Sequence, residues 1–153
     1  MKVRSNFFSV LLGFGVLVLT GCLTNDTTTF YELKSLRFEL QADSATRGQQ
    51  AEYFVIENCP TDLNERVTEI QAFNKRTLNV DKIESKQPSF YSRYFYQESS
   101  KLTRYYEEED DFISDQIEDH IDDLIATVEY REKGNWVFKV KTEPNTWIEY
   151  PLE

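Results

Sequence analysis

Two patterns of apolar residues divide the chain at Cys22. Residues 7–19 are almost continuously apolar, whereas the later residues alternate between apolar and polar with helix and strand periods. A run of about 13 residues is too short for a membrane-spanning helix, which needs about 20. Because two basic residues precede the run and the small residues Thr20 and Gly21 follow it, we expect residues 1–21 to be a signal peptide.

Strand-like patterns recur along the rest of the chain. Leu36, Phe38 and Leu40 alternate with charged residues, which is the two-residue period of a half-buried strand. The aromatic stretch 89–97 and the stretch 102–107 are separated by four polar residues and predict a β-hairpin. Further strands are predicted at 51–56, 125–131 and 136–141, the last two as a hairpin with its turn at 132–135.

Two helices are predicted from apolar residues spaced three and four apart. The longer helix covers about 61–78, with Thr61 or Asp62 as its N-cap and Glu65 in position for a capping box. A shorter acidic helix covers about 111–124. The residues that mark the inner faces are Leu63, Val67, Ile70, Phe73 and Asn74 in the long helix and Ile113, Ile117, Ile121 and Leu124 in the acidic one.

Helices and strands are segregated in this pattern and do not alternate as β-α-β units. We therefore expect an α+β fold in which the long helix and the acidic helix pack on a curved antiparallel sheet. The continuous pattern, without Pro/Gly-rich linkers or repeats, predicts a single domain over residues 30–153. A strand pair, a long helix and several meandering strands are similar to the cystatin-like or nuclear-transport-factor-2-like arrangement, which is a likeness of fold alone.

Composition restricts the classes of partner. The chain has 153 residues, 14% of them aromatic, and a formal net charge of −10. Removal of residues 1–21 takes two of the 17 basic residues and none of the 27 acidic ones, so the remaining chain carries a formal charge of −12. The aromatic content is typical of a folded core, and the acidity argues against nucleic-acid binding, which depends on clustered Lys and Arg.

The residues Leu19-Thr20-Gly21-Cys22 resemble the lipobox of bacterial lipoprotein precursors. The resemblance implies cleavage between Gly21 and Cys22, a diacylglycerol thioether on the Cys22 sulfur, and N-acylation by a fatty acid such as palmitate. Two or three acyl chains anchor a protein firmly, whereas one chain binds only marginally. The resemblance further implies an extracytoplasmic domain held at the cell membrane or the outer membrane, and the polar residues 22–29 would form its tether.

The segment 107–123 contains ten carboxylates. It lacks the alternating oxygen ligands and the glycine of a calcium loop. The simplest interpretation is the solvated face of the acidic helix. Weak binding of divalent cations or of a basic partner, and catalysis by a carboxylate pair, remain as alternatives.

Two further side chains are candidates for chemistry. His120 is the only histidine, and the pattern predicts a partly exposed helical residue without a second metal ligand at suitable spacing. Cys59 is left as a single thiol if Cys22 is lipidated. We expect it to be a small buried side chain before the long helix, with an intermolecular disulfide or a catalytic thiol as alternatives.

The predicted aromatic hairpin has aromatic side chains on both faces. One face carries Tyr91, Arg93 and Phe95, and the other carries Tyr94 and Tyr96. One face should pack under the long helix, whereas the other is either covered by the acidic helix or forms a contact surface for a protein or a glycan. The candidate contact residues are Arg93, Tyr94, Tyr96, Arg104 and Tyr106.

Motifs for nucleophilic, phosphate-binding, metalloprotease and dithiol chemistry are absent from the sequence. The sequence thus favours a lipid-anchored binding or accessory module of the cell envelope, without catalytic residues, cofactor or metal. Its expected partners are the bilayer, through Cys22, and an envelope protein or glycan. The alternative is an envelope hydrolase that acts on peptidoglycan or polysaccharide through carboxylates between Glu107 and Asp123.

Overall fold

The computed structural model describes residues 27–33, 49–86, 88, 90–108, 118–131 and 134–152. The predicted signal peptide, Cys22, the predicted strand at 36–40 and residues 111–117 of the predicted acidic helix lie outside these ranges. The elements in chain order are β1 (Thr29–Glu32), β2 (Gln49–Glu57), α1 (Leu63–Thr77), α2 (Val80–Lys86), β3 (Phe90–Gln97), α3 (Thr103–Tyr106), a 3₁₀ turn at Glu118–His120, β4 (Leu124–Arg131), β5 (Asn135–Glu143) and β6 (Thr146–Tyr150).

The described strands form one open sheet of six strands in the order β1-β2-β3-β4-β5-β6. The α+β class is confirmed, but the sheet is mixed, and the expectation of a purely antiparallel sheet is wrong. β2 and β3 are parallel, with Tyr53 opposite Tyr94, whereas the other neighbouring pairs are antiparallel. The reason is the connection between β2 and β3. It contains α1 and α2 and is long enough to return the chain to the starting end of the sheet.

The long helix agrees closely with its prediction. α1 begins after Asp62, whose side chain accepts hydrogen bonds from the backbone N–H groups of Asn64 and Glu65. Its buried residues Val67, Ile70 and Asn74 belong to the predicted apolar face. This helix packs on one face of the sheet, which we call the α1 face, against Phe54, Ile56, Phe95, Ala126, Val128, Phe138 and Val140.

The predicted hairpin of 89–97 with 102–107 is wrong in its second half. β3 forms as expected, but Thr103–Tyr106 is the short helix α3, and β4 takes the place beside β3. Backbone bonds from Leu102 N–H to the Ser99 carbonyl and from Tyr105 N–H to the Leu102 carbonyl coil the chain here. Leu102 and Tyr105, three residues apart, are both buried, so burial at helical spacing overrode the strand preference of the aromatic residues.

The predicted acidic helix does not extend to residue 124. Glu118–His120 is a single 3₁₀ turn, and Leu124 is the first residue of β4. Ile121, expected on the inner face, is 51% exposed. Leu124 is buried because it is part of β4. Its apolar side chain therefore marks the start of a strand and not the inner face of a helix.

A second core lies on the opposite face of the sheet, which we call the α3 face. Leu102 and Tyr105 pack there against Tyr53, Val55, Tyr96 and Leu124. The strand predicted at 51–56 and the β4–β5 hairpin are confirmed. The edge strands β1 and β6 were not predicted, and Thr29, assigned to the tether, is the first residue of β1.

Candidate functional site

Arg93 lies inside the molecule. It is 4% exposed, and its guanidinium joins β2, β3 and the carboxyl end of α1. Nε donates to Glu52 Oε2 and to the Tyr91 hydroxyl, both at 2.9 Å. Nη1 donates to Asn74 Oδ1 at 3.0 Å and to Thr77 Oγ1 at 2.8 Å, and Nη2 donates to the Thr77 carbonyl at 3.2 Å. Arg93 therefore fastens α1 to the sheet and does not contribute to a contact surface.

The other residues of the predicted contact surface are divided between core and surface. Tyr96 is 0% exposed within the second core. Tyr94 is half-buried and stacks on Tyr53 at 5.3 Å between ring centroids. Arg104 is exposed and lies over the Tyr105 ring at 4.6 Å. The predicted alternation of faces along β3 is correct, but only Tyr94, Arg104 and Tyr106 of the five residues reach solvent.

Tyr106 belongs to a small acidic and aromatic patch beside β1. Its ring stacks on Tyr31 at 4.9 Å between centroids, and its hydroxyl donates to Glu98 Oε1 at 3.1 Å. The Tyr31 hydroxyl donates to Glu57 Oε2 at 3.0 Å. This hydrogen bond, together with nearby carboxylates, raises the pKa of Tyr31. The carboxylates here already accept hydrogen bonds from the two phenols.

The single histidine is buried and not partly exposed as predicted. His120 is 5% exposed, its Nδ1 lies 3.6 Å from Asp123 Oδ2, and its ring meets Tyr105 edge-on at 5.8 Å. The 3₁₀ turn directs the imidazole toward the α3 face, whereas a continuing helix was expected to leave it at the surface. Within the described ranges, no three His, Cys, Asp or Glu side chains are grouped to hold a metal ion.

Cys59 is half-buried against the α1 core, directly before the helix. Burial raises the pKa of its thiol, although the neighbouring Arg66 partly opposes this effect. A raised pKa lowers the thiolate fraction at neutral pH, which is unfavourable for a nucleophile. The geometry therefore favours the expected packing role over the catalytic alternative.

An open groove of about 350 Å³ lies on the α3 face, across β4, β5 and β6. Thr127, Lys139 and Glu149 are directly opposite one another on the three strands and form its centre. Glu129 and Trp147, which point to the same face, complete it, and we call this the Trp147 groove. Sequence reasoning missed it because the lining residues come from three strands and because β6 was not predicted.

The charges of the Trp147 groove are internally paired. The Arg131 guanidinium lies 2.8 Å from Glu129 Oε2, and Lys139 Nζ lies 3.8 Å from Glu149 Oε1. Thr127, which is buried, donates to Glu129 Oε1 at 3.4 Å. The groove thus presents hydrogen-bonding groups of both kinds beside one indole ring, without a large excess of either charge.

A second depression, of about 490 Å³, lies over Arg76–Asp81 at the junction of α1 and α2. These residues are consecutive, so the hollow follows a bend of the backbone. Side chains from separate elements converge in the Trp147 groove, which makes it the better candidate site.

Comparison with known proteins gives no relative. No protein-family model, curated protein or solved structure matches the chain. Among the described residues, no helix combines the length and the apolar character needed to cross a membrane.

Proposed function

We propose that the chain is an acylated lipoprotein of the bacterial cell envelope whose domain binds another envelope component. The observation that carries the proposal is the order of residues 1–22: a basic start, a short apolar run, and Leu19-Thr20-Gly21-Cys22. The Trp147 groove supports the binding role because it is an open concave surface with one aromatic anchor and several polar groups.

The start of the described domain makes the tether short. Thr28 Oγ1 donates to the Asn58 carbonyl at 3.3 Å, and Asn58 Nδ2 donates to the Thr27 carbonyl at 3.5 Å. The chain is therefore attached to the domain from Thr27 onward, and only residues 23–26 separate it from Cys22. Five Cα–Cα steps span at most about 18 Å. An acyl anchor on Cys22 would thus hold the domain close to the bilayer.

Such confinement raises the effective concentration of the domain toward other components of the same layer. A binding site of modest affinity is sufficient under these conditions, because the high effective concentration compensates for weak binding. The mechanism requires no catalytic group.

The anchor is tested by metabolic labelling with a fatty-acid analogue in a bacterium that processes lipoproteins. Wild-type protein and the control variant Cys59→Ala should carry the label and have the mass of residues 22–153 plus that of the attached lipid. Cys22→Ala should remain unlabelled at the mass of the precursor. Equal labelling of Cys22→Ala and wild type would contradict the proposal.

The binding role is tested by crosslinking of the anchored protein in intact cells, followed by purification and identification of the attached material. Recovery of the same envelope component in repeated experiments, and its loss from a Trp147→Ala variant, are the expected results. Attached material that is unchanged by Trp147→Ala would place the contact elsewhere on the domain.

A further inference from the structure

On the α3 face, aromatic rings lie at both ends of a row of polar side chains. One row across the sheet runs from Tyr53 through Tyr94, Thr127 and Lys139 to Glu149, each residue opposite the next. Trp147 lies beside the β6 end of this row and is half-buried. Neighbouring strands are about 4.8 Å apart, so the distance from β3 to β6 is about 14 Å. The surface between Tyr94 and Trp147, which we call the platform, is therefore longer than a single small ring of a ligand.

The charges of the platform favour an uncharged ligand. Glu129 and Glu149 each have a cationic partner, Arg131 and Lys139, on the same face. An anion would meet two carboxylates, and a cation would compete with the two bases that are already in place. A neutral ligand that both donates and accepts hydrogen bonds can use the carboxylates, the ammonium group and the Thr127 hydroxyl without leaving a charge unpaired.

The aromatic rings specify the shape of such a ligand. An indole or phenol face offers a flat apolar surface with a polar rim, and it binds a flat partner whose own rim is polar. A pyranose ring has this form, because its axial C–H groups make an apolar face and its hydroxyl groups point outward. We propose that the Trp147 groove binds a neutral saccharide chain, with one sugar ring on Trp147 and its hydroxyl groups on Glu129, Lys139 and Glu149.

This inference rests on the proposed function, for which it names the ligand class. It does not depend on lipidation, because saccharide binding is measured on the purified chain whether or not Cys22 is acylated. Absence of the fatty-acid label from wild-type protein would therefore overturn the anchor, and absence of saccharide binding by the purified chain would overturn only the present inference.

The test uses the mature chain in a detergent without a sugar headgroup, titrated with a linear tetramer of N-acetylglucosamine. The chain has two tryptophans, so the variant Trp136→Phe leaves Trp147 as the only indole. A saturable change in its fluorescence is expected. The same titration of Trp147→Phe, in which Trp136 remains, should show no change.

Calorimetry with matched variants locates the contact. Trp147→Ala should weaken binding at least tenfold, because the ring contact is lost. Ile148→Ala should leave the affinity unchanged, because Ile148 is 42% exposed but lies on the opposite face of the same strand. Circular dichroism of each variant confirms that the fold is retained.

Salt dependence distinguishes a neutral ligand from an ionic one. Affinity for the tetramer should change less than about twofold between low and high ionic strength, because only interactions between net charges are strongly screened. No saturable binding of the tetramer, equal binding by Trp147→Ala, or preferential binding of an extended peptide would each overturn the proposal.

Discussion

Arg93 and Arg131 make ion pairs of nearly equal length in different surroundings. The Arg93–Glu52 pair measures 2.9 Å with side-chain exposures of 5% and 16%, and the Arg131–Glu129 pair measures 2.8 Å with exposures of 49% and 21%. Around Arg93, water is replaced by Tyr91, Asn74 and the end of α1. The sequence indicated that both arginines lie on strands, but it did not distinguish the buried ion pair from the exposed one.

Replacement of Arg93 should therefore cost far more stability than replacement of Arg131. Arg93→Leu removes the cationic partner of Glu52, which keeps only the hydrogen bond from the Tyr91 hydroxyl, and leaves the acceptors of α1 without their donor. We therefore expect a loss of about 3–5 kcal/mol in the free energy of unfolding. Arg131→Leu removes an exposed pair and should cost about 1 kcal/mol or less. Urea unfolding of both variants measures the difference, and equal losses would refute the buried network as a stabilising feature.

At the level of single elements, β3 concentrates phenols that are buried or half-buried. Tyr91, Tyr94 and Tyr96 all lie on this strand, and burial raises the pKa of each above its usual value. In the unfolded chain these tyrosines ionise near pH 10. Below that pH the phenols are neutral in both states, and their preference for the neutral form does not affect the free energy of unfolding.

Stability should fall as the pH rises above about 10. The unfolded chain then releases protons that the folded chain retains. Each buried tyrosine therefore lowers the free energy of unfolding by up to about 1.4 kcal/mol per pH unit until the pH reaches its pKa in the folded chain. The urea midpoint measured at several alkaline pH values should decline steeply. Tyr96→Phe removes one titrating group and should make the decline shallower, whereas a flat profile in wild type would contradict burial of these hydroxyl groups.

Local periodicity predicted some elements well and others poorly, for a physical reason. α1 and the β4–β5 hairpin carry apolar patterns that match their own geometry, and both formed where expected. The stretches 102–107 and 118–124 carry aromatic or aliphatic residues that suit more than one geometry. Their conformations depend on Leu102, Tyr105 and Leu124 reaching a common core, which is a long-range condition.

For the whole molecule, the proposed acylation of Cys22 predicts an orientation at the membrane, because few residues separate Cys22 from Thr27. One edge of the domain contains the first residue of β1 and the last residues of β2 and β3. Asn58 donates its hydrogen bond to the Thr27 carbonyl at this same end of the strands. The loop that contains Ser100 follows β3 at this end, whereas Asn135 begins β5 at the other. A strand of eight residues is about 26 Å long, so in an acylated chain the two positions would lie at very different heights above the bilayer.

This orientation is measured with a fluorescent label on single cysteines in acylated protein reconstituted in vesicles. In a Cys59→Ser background, the label at Ser100→Cys should be quenched by nitroxide lipids at least twofold more than the label at Asn135→Cys. The same cysteines in protein with Cys22→Ala should show little quenching at either position. Stronger quenching at residue 135 would exclude the proposed orientation.

The sequence by itself determined the features that depend on neighbouring residues: the span of α1, the β4–β5 hairpin and the alternation of faces along β3. These follow from local periods of apolar residues and from capping chemistry. Only the tertiary structure decided the parallel pairing of β2 with β3, the burial of Arg93 and His120, and the assembly of the Trp147 groove. Each of these depends on which distant apolar surfaces meet, and a period along the chain does not encode that choice.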